Sequence, residues 1–281
     1  MEFATLNNGV KMPMLGYGVY QVDAAETRRC VRDALSVGYR LIDTAQAYGN
    51  EEGVGQALRD SGLRRDEVFI TSKVWIANAG QEKAAASIDE SLRKLGCDYI
   101  DLMLIHQPFG DYYGAYRAME EALRAGKLRA IGVSNFGPDR LIDLYTFVDI
   151  KPAVNQIETH VFQQQKRAHA VLAKYGVLHQ SWGPFAEGRK GLFTNPTLVE
   201  IGAKHNKSAA QVALRFLMDS GVAVIPKSTH IERMEQNFDV FDFALDGEDK
   251  QRLAALDEGE SAFFSHYDPE TVEWFMSFSG R

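Results

Sequence analysis

Short apolar runs alternate with longer segments of helical period along most of the chain. Helical segments such as AAETRRCVRDALSVG and SAAQVALRFLMDSG end in glycine, a usual residue at the C-terminus of a helix. Strands that alternate with helices predict parallel pairing through βαβ units. The strand-like runs are residues 14–18, 39–43, 68–73, 99–106, 129–135, 153–156, 177–182 and 222–228.

Eight such units in a chain of 281 residues favour an α/β fold closed into a (β/α)₈ TIM barrel. The main rival is an open doubly wound sheet. Ahead of the first unit, Asn8-Gly9 is a turn signal between two short alternating pieces, so the sequence predicts an N-terminal β-hairpin. No linker, low-complexity tract or repeat divides the sequence. We therefore expect a single domain over residues 1–281.

Composition narrows the partners and the compartment. A net charge of −7 argues against nucleic acid or an anionic membrane surface as the main partner. The two cysteines, Cys30 and Cys97, form neither a disulfide framework nor a metal-type pair, and we interpret both as reduced thiols. No apolar segment has the pattern of a signal peptide or a membrane span. These features together predict a cytoplasmic location.

The ends of the strand-like runs carry groups of mixed chemistry, most of them polar. In a (β/α)₈ barrel the chemistry lies at the C-terminal ends of the strands. Polar groups at most of these ends predict a pocket there. Run by run, the residues are Gly18, Asp43, Lys73, His106, Ser134 with Asn135, Gln156, Trp182, and Lys227 with Ser228.

Asp43, Tyr48, Lys73 and His106 form a set suited to proton transfer. The ordinary pKa of a phenol is about 10, so Tyr48 is a weak acid at neutral pH. A charged Lys73, held by Asp43, favours the phenolate and is expected to lower the pKa of Tyr48. A neutral His106 can donate a hydrogen bond to a carbonyl oxygen and orient it. The set suits proton delivery to an oxygen whose carbon receives a hydride, which requires a cofactor.

The signals for a cofactor lie at the end of the last strand-like run. No GxGxxG follows the first run, so a Rossmann dinucleotide turn is not predicted. Instead, IPKSTHIERMEQN (225–237) places Lys227, Ser228, Thr229 and Arg233 around a strand end and a helix start. A helix N-terminus with added cations binds anions, so this basic cluster in an acidic protein predicts a phosphate site. The 2′-phosphate of NADP fits that site.

Eight short motifs follow one another along the chain. They are LGYGVYQ (15–21), LIDTAQAYGNE (41–51), TSKVW (71–75), YIDLMLIHQP (99–108), GKLRAIGVSNF (126–136), PAVNQIE (152–158), QSWGPF (180–185) and IPKSTHIERMEQNF (225–238). In this ordered set the sequence resembles the aldo-keto reductase family across essentially its whole length. It is closest to the bacterial and protozoal type that includes 2,5-diketo-gluconate reductases and prostaglandin F synthase-like enzymes.

The resemblance implies a (β/α)₈ barrel that binds NADPH in an extended form and reduces aldehyde and ketone carbonyls to alcohols. Tyr48 would be the general acid, with Asp43, Lys73 and His106 completing a catalytic tetrad. At the nicotinamide end, the cofactor would meet Gly18, Val19, Ser134, Asn135, Gln156 and, stacked on the ring, Trp182. At the adenosine end, it would meet Lys227, Ser228, Thr229, Arg233, Gln236 and Asn237.

Several positions depart from the residues that are commoner in this family, His230 among them. Trp182 stands where a tyrosine is commoner, which preserves stacking on the nicotinamide. Gln236 stands where a glutamate is common at the adenine edge, which alters an expected hydrogen bond. Gln107 stands where larger animal reductases carry tryptophan, which predicts a wider and more polar anion pocket.

Aromatic and polar residues beside the strand ends are candidates for the substrate mouth. The physiological carbonyl substrate depends on mouth loops and on the tail, SAFFSHYDPETVEWF. No histidine spacing such as HExxH occurs, so no metal site is predicted. The resemblance favours a monomer. The mouth candidates are Tyr20, Trp75 and Gln107, with Tyr112, Tyr113 and Phe264 as further candidates.

Other classes of protein share some of these features. An NADPH-binding regulatory subunit of the potassium-channel β type would carry the same residues but turn over slowly. An aldolase-like Schiff base on Lys73 needs a depressed lysine pKa, which Asp43 opposes. A short-chain dehydrogenase is disfavoured, because no tyrosine has a lysine four residues further on.

Overall fold

A computed structural model describes residues 1–279, so two residues of the predicted domain 1–281 lie outside the described range. Within that range the chain forms a two-stranded antiparallel hairpin and an eight-stranded parallel sheet. The hairpin pairs Phe3–Thr5 (β1) with Lys11–Pro13 (β2). The parallel strands are Tyr17–Gly18 (β3), Leu41–Asp43 (β4), Phe69–Val74 (β5), Ile100–Ile105 (β6), Leu128–Ser134 (β7), Val154–Glu158 (β8), Leu178–Trp182 (β9) and Ala223–Val224 (β10).

The two edges of the parallel sheet meet, and this contact closes the barrel. Leu15 forms a parallel bridge with Val224, and the Gly16 N–H donates to the Val224 carbonyl at 2.8 Å. Gly18 continues the seam, where a Cβ atom would lie 3.0 Å from the Ile225 carbonyl oxygen. An open doubly wound sheet has no such seam. The predicted (β/α)₈ barrel and its N-terminal hairpin are therefore confirmed.

Helices surround the barrel and cover the outer face of the sheet. The two helical segments quoted from the sequence are confirmed, one of them ending before Gly38 and the other capped by the Ser208 hydroxyl. In the part of the chain that the structure describes, no helix is long and apolar enough to cross a membrane. The helices are Ala24–Val37 (α1), Glu51–Asp60 (α2), Gln81–Leu95 (α3), Tyr112–Arg124 (α4), Pro138–Phe147 (α5), Lys166–Lys174 (α6), Pro196–His205 (α7), Ala209–Asp219 (α8), Ile231–Phe238 (α9), Gly247–Ala254 (α10) and Pro269–Met276 (α11).

The first and last strand-like runs are shorter as strands than the sequence predicts. The run 222–228 is a strand only over Ala223–Val224, and the run 14–18 only over Tyr17–Gly18. Pro226 explains the early end of β10, because it has no N–H to continue the ladder. Beyond that proline the chain leaves the sheet and runs towards α9.

The hairpin covers the N-terminal end of the barrel and leaves the other end open. The Asn7 side-chain amide donates to the Pro152 carbonyl at 3.0 Å, and that of Asn8 donates to the Arg129 carbonyl at 2.9 Å. Both acceptors lie at the N-terminal ends of strands. The C-terminal strand ends, where the chemically active side chains were predicted, are therefore the accessible end.

Candidate active site

A cavity of about 630 Å³ opens at the C-terminal ends of the strands. Most of the side chains predicted for the reacting end of the site line it. Lys73 lies outside the lining because it is fully buried beneath Tyr48, and Val19 lies outside because its side chain faces the core. The predicted residues that line the cavity are Gly18, Tyr20, Asp43, Tyr48, Trp75, His106, Gln107, Ser134, Asn135, Gln156, Trp182 and Lys227.

Lys73 is the centre of a group that we call the strand-end cluster, which comprises Asp43, Tyr48, Lys73 and His106. Its ammonium donates to Asp43 Oδ1 at 2.5 Å, to the Thr44 carbonyl at 2.9 Å and to the Tyr48 phenol oxygen at 3.3 Å. A lysine ammonium has three donors and no acceptor, so these three bonds use all of its capacity. The expected contact of Asp43, Lys73 and Tyr48 is present.

The Asp43 carboxylate is held by a second set of bonds. Its Oδ2 accepts from Gln156 Nε2 at 2.7 Å, and the same Nε2 donates to Gln180 Oε1 at 2.9 Å. Strands β8 and β9 pair Gln156 directly with Gln180, which brings the two amides together. Gln180 was not predicted from the sequence as a site residue, although it lies within the motif QSWGPF. Alternation along β9 would have placed it on the same face as Trp182.

The pKa of Tyr48 is raised well above its ordinary value. Burial is the largest cause, and the negative charges of Asp43 and of an ionised Tyr20 add to it. The expected lowering of the pKa of Tyr48 is therefore wrong, because burial dominates. Tyr48 is a neutral phenol at physiological pH and carries a proton that it can give away.

Burial also lowers the pKa values of Lys73 and His106. It lowers the pKa of Lys73 and outweighs the opposite effect of Asp43. It lowers the pKa of His106 well below the ordinary value, with Lys73 and His266 contributing in the same direction. His106 is therefore neutral, which is the form that can donate a hydrogen bond to a carbonyl oxygen as proposed from the sequence. Its ring lies 5.6 Å from that of Tyr48, centroid to centroid.

Ser134, Asn135 and Trp182 form a connected polar wall beside the cluster. The Ser134 hydroxyl donates to the Gln156 carbonyl at 2.8 Å, and Asn135 Nδ2 donates to the His106 carbonyl at 3.0 Å. Trp182 Nε1 donates to Asn135 Oδ1 at 2.8 Å, which fixes the plane of the indole. Asn135 has φ 64°, a left-handed conformation that asparagine tolerates better than most residues.

Lys227, Ser228, Thr229 and Arg233 form an anion edge where β10 leads into α9. Lys227 and Arg233 are exposed, and within residues 1–279 neither makes an ion pair with a carboxylate. The Ser228 hydroxyl accepts from the His230 N–H at 3.1 Å, just before α9 begins. No side chain of the described residues caps that helix start, so its N–H groups are available to an anion.

The outer part of this edge includes one residue that the sequence argument missed. The Arg29 guanidinium, on α1, donates to the Thr229 carbonyl at 3.3 Å. Of the two residues predicted to meet the adenine, Gln236 is exposed to solvent and Asn237 is buried, both on α9. The Val19 N–H donates to the Asp43 carbonyl at 3.0 Å, which ties it to the sheet.

Aromatic residues from the C-terminal part of the chain also line the cavity. We call Phe263, Phe264, Trp274, Phe275 and Phe278 the tail wall; all five line the cavity. Among the other predicted mouth residues, Tyr20, Trp75 and Gln107 are present there.

Tyr112 and Tyr113 are not part of the mouth. They stack on each other, and the Tyr113 hydroxyl donates to Asp143 on α5. Their prediction as mouth residues is wrong, because α4 turns this pair towards its neighbouring helix. Within residues 1–279, no group of three His, Cys, Asp or Glu side chains is arranged to hold a metal ion. Cys30 and Cys97 are both free thiols.

Comparison with known proteins places this cavity in context. The family model described as "Aldo/keto reductase family" matches residues 12–258. The chain is 45% identical over 257 residues to the glyoxal reductase of Bacillus subtilis (strain 168), covering 91% of this chain and 92% of that protein. It is 44% identical over 257 residues to the 9,11-endoperoxide prostaglandin H2 reductase of Trypanosoma cruzi (strain CL Brener), covering 90% and 91%.

A solved structure agrees with these sequence relatives. The aldo-keto reductase of Bombyx mori in complex with NADP superposes with a TM-score of 0.90 at 33% identity. The match covers 97% of this chain and 96% of that one.

Proposed function

The chain belongs to the aldo/keto reductase family, and from that premise we propose that Tyr48 gives the proton when a carbonyl is reduced. The protein is an NADP-dependent oxidoreductase that reduces aldehyde and ketone carbonyls to alcohols. One observation carries the assignment of Tyr48. Lys73 donates to the phenol oxygen at 3.3 Å, and because the ammonium has no acceptor, the phenol hydrogen stays free to point into the cavity.

The residues present fit NADPH. Lys227 and Arg233 are exposed cations beside an uncapped helix N-terminus, which suits the 2′-phosphate of the adenosine. Gln156 donates to a carboxylate, and within residues 1–279 its side-chain oxygen accepts no hydrogen bond, so that oxygen can accept from the carboxamide. Trp182 offers a ring fixed by Asn135. When bound, NADPH supplies the hydride for the carbonyl carbon.

Proton transfer depends on how Tyr48 and Lys73 share charge. Tyr48 donates its hydrogen to the substrate oxygen, and it gives up the proton as that oxygen becomes an alkoxide, a stronger base than a phenolate. The phenolate that forms faces the Lys73 ammonium. This attraction is stronger in the transition state than in the ground state, which is the condition for acceleration. Lys73 therefore favours the phenolate as it forms, although burial keeps the resting pKa of Tyr48 raised.

His106 is proposed to orient the substrate. Its lowered pKa keeps the ring neutral, so it neither repels Lys73 nor competes with Tyr48 as an acid. Its Nδ1 is buried and has no hydrogen-bond partner among the described residues, which leaves the other ring nitrogen as the one that can serve the cavity. A hydrogen bond from that nitrogen would hold the carbonyl oxygen beside the phenol.

Two alternatives are less well supported. A regulatory subunit with little turnover is not favoured, because the relatives described above are named as reductases. A Schiff base on Lys73 needs a lowered lysine pKa, which Asp43 was expected to prevent. Burial nevertheless lowers the pKa of Lys73 on balance, so Asp43 does not exclude the Schiff base by itself. All three ammonium hydrogens are bonded, however, and the nitrogen lies beneath Tyr48 rather than in the cavity lining.

The finer assignments extend the same proposal. Tyr20, Trp75 and Gln107 contact the substrate, and residues 1–281 function as one NADP-binding domain. The free thiols of Cys30 and Cys97 support a reducing compartment, which we propose is the cytoplasm. We further propose a monomer, which light scattering of the purified protein would test through its molar mass.

Replacement of Tyr48 by phenylalanine tests the assignment of the proton donor. The variant keeps the ring and loses only the hydroxyl, so NADPH binding should be unchanged while kcat for an aldehyde falls by about 10² to 10⁴. The measurement is NADPH-linked reduction with cofactor affinity determined by fluorescence titration. Retention of full activity by the variant would remove Tyr48 from the mechanism.

A further inference from the structure

Glu158 is a buried carboxylate at the end of β8 that the reduction does not use. It is 6% exposed and pairs in register with Trp182 on β9. Its Oε1 accepts from His160 Nε2 at 3.0 Å and from the Ala262 N–H at 2.8 Å, while its Oε2 accepts from the Ser261 hydroxyl at 2.5 Å. Two of these three donors belong to the segment that leads into the tail wall.

The donors around Glu158 are fixed by their other bonds. His160 Nδ1 accepts from the Phe162 N–H at 3.2 Å, so its hydrogen is on Nε2, the nitrogen that faces Glu158. The Ser261 oxygen accepts from the N–H groups of Phe263 and Phe264, at 3.0 and 3.1 Å. A hydroxyl has two lone pairs and one hydrogen, so that hydrogen must find an acceptor. The side chain at position 158 must therefore accept hydrogen bonds through both of its terminal atoms. A carboxylate does so, because both of its oxygens are acceptors.

The segment held by Glu158 carries aromatic rings that shape the cavity. Phe263 packs against Trp182 with ring centroids 5.3 Å apart, and Phe264 packs against Phe275 at 5.6 Å. Phe275 in turn stacks on His266 at an interplanar angle of 10°. The anchorage of Ser261 and Ala262 therefore holds the segment that begins the tail wall.

We propose that Glu158 is a positioning residue that holds the tail wall in place and so sets affinity for carbonyl compounds bearing a large apolar group. The proposal rests on the proposed function of the cavity. A flat apolar substituent packs on the aromatic rings and depends on their position. A small dicarbonyl reaches Tyr48 without touching the tail wall. Loss of the anchorage therefore affects the two classes of substrate differently.

Glu158→Gln is the sharpest test because it changes shape very little. In one orientation the amide NH₂ meets a Ser261 oxygen whose lone pairs are already used; in the other it meets the N–H groups of His160 and Ala262. The KM for 2-naphthaldehyde should rise about tenfold, with kcat and the affinity for NADPH retained. The KM for glyoxal should not change. Glu120→Gln is the matched control, since Glu120 on α4 is also buried, accepts from the Ile150 N–H and lies outside the cavity lining.

Ser261→Ala, combined with Glu158→Gln in a double variant, provides a second test. It removes the hydroxyl that conflicts with glutamine, so the double variant should have a KM for 2-naphthaldehyde no higher than that of Glu158→Gln alone. Amide hydrogen exchange over residues 261–276 should be faster in Glu158→Gln and unchanged in Glu120→Gln. These readouts remain informative if Glu158→Gln lowers overall stability.

The outcomes separate the two proposals. Equal changes in KM for both aldehydes, or no change in KM and in exchange of the tail, would overturn the role of Glu158. A parent protein that reduces neither aldehyde with NADPH would instead contradict the proposed function. A parent that reduces both, together with a Glu158→Gln variant that matches it, would contradict only the positioning role.

Discussion

The strand-end cluster and the tail wall belong to one cavity, but they are built in different ways. Lys73 and Asp43 are almost fully buried on β5 and β4, and Lys73 alone makes three hydrogen bonds. Trp274 in the tail wall is 56% exposed. The first region is set by the register of strands and the second by a segment that lies over the barrel mouth.

This difference separates two tasks within the site. Proton transfer needs fixed distances, and strands provide them because their side chains are locked by neighbours on both sides. Substrate choice tolerates variation, and a terminal segment attached at a few points can supply it. Besides the bonds to Glu158, the tail is attached where His266 Nε2 meets Gln107 Oε1 at 2.9 Å. Changes in the two regions should therefore differ in size and in the parameter that they affect.

The largest effect on stability is expected from Asp43→Asn, which tests the rigidity of the strand-end cluster. The change leaves the buried Lys73 ammonium without its charged partner, so the free energy of unfolding should fall by about 3–5 kcal/mol. Activity should fall about 100-fold, because the ammonium no longer has a fixed position beneath Tyr48. Urea denaturation and steady-state kinetics measure the two effects.

Asp89→Asn is the control for that change. Asp89 pairs with Lys127 at the surface, with both side chains largely exposed, so its loss should change stability little. If the two variants lose the same stability, the buried pair contributes nothing special and the cluster is not the rigid unit described here.

A smaller effect is expected at the anion edge. Like the strand-end cluster, it is placed by the end of a barrel strand. Arg233→Ala should raise the KM for NADPH about tenfold, because a bond to a charged phosphate is lost. The KM for NADH should stay the same, since NADH has no 2′-phosphate. Arg93→Ala, an exposed change on α3 where Arg93 pairs with Glu90, is the control. Equal effects on both cofactors would remove Arg233 from the phosphate site.

The smallest effect is expected from a change of pH, which should alter the packing of the tail wall. Burial lowers the pKa of His266 to about 4, whereas a histidine in a detached tail has a pKa of about 6.5. The detached form therefore takes up a proton first as pH falls. The packing of the tail is fully favoured above pH 6.5 and weakens progressively towards pH 4.

The KM for 2-naphthaldehyde should accordingly rise between pH 7 and pH 5, while that for glyoxal follows a flatter profile. His266→Gln keeps a donor for Gln107 but does not titrate, so its profile for 2-naphthaldehyde should be flat over the same range. A variant with the same slope as the parent protein would show that another group controls the tail.

The strand-end cluster could be predicted from the sequence because the C-terminal ends of all barrel strands meet at the same end of the barrel. Asp43, Lys73 and His106 each follow an apolar run, and parallel strands bring such ends together. The same logic predicted Lys227 beside the cavity. The position of Gln180 was readable from the alternation along β9, but its bond to Gln156 depends on the register of two strands, which no local pattern gives.

Two other features were beyond the sequence for physical reasons. The raised pKa of Tyr48 comes mainly from burial, which depends on how the whole barrel encloses the phenol. The tail wall has no period that specifies its path, since Ser261 is placed by a bond to Glu158 more than a hundred residues earlier, and Phe264 donates to Ser261. The aromatic composition of the tail was visible, but its anchorage was not.

The most direct test compares Tyr48→Phe with Phe264→Ala on glyoxal and 2-naphthaldehyde, with kcat and KM measured for all four combinations. Tyr48→Phe is expected to lower kcat for both aldehydes by the same factor. Phe264→Ala is expected to raise KM for 2-naphthaldehyde alone and to leave kcat unchanged. If Tyr48→Phe affects only one aldehyde, or Phe264→Ala lowers kcat for both, the proposed separation of proton transfer from substrate choice is contradicted.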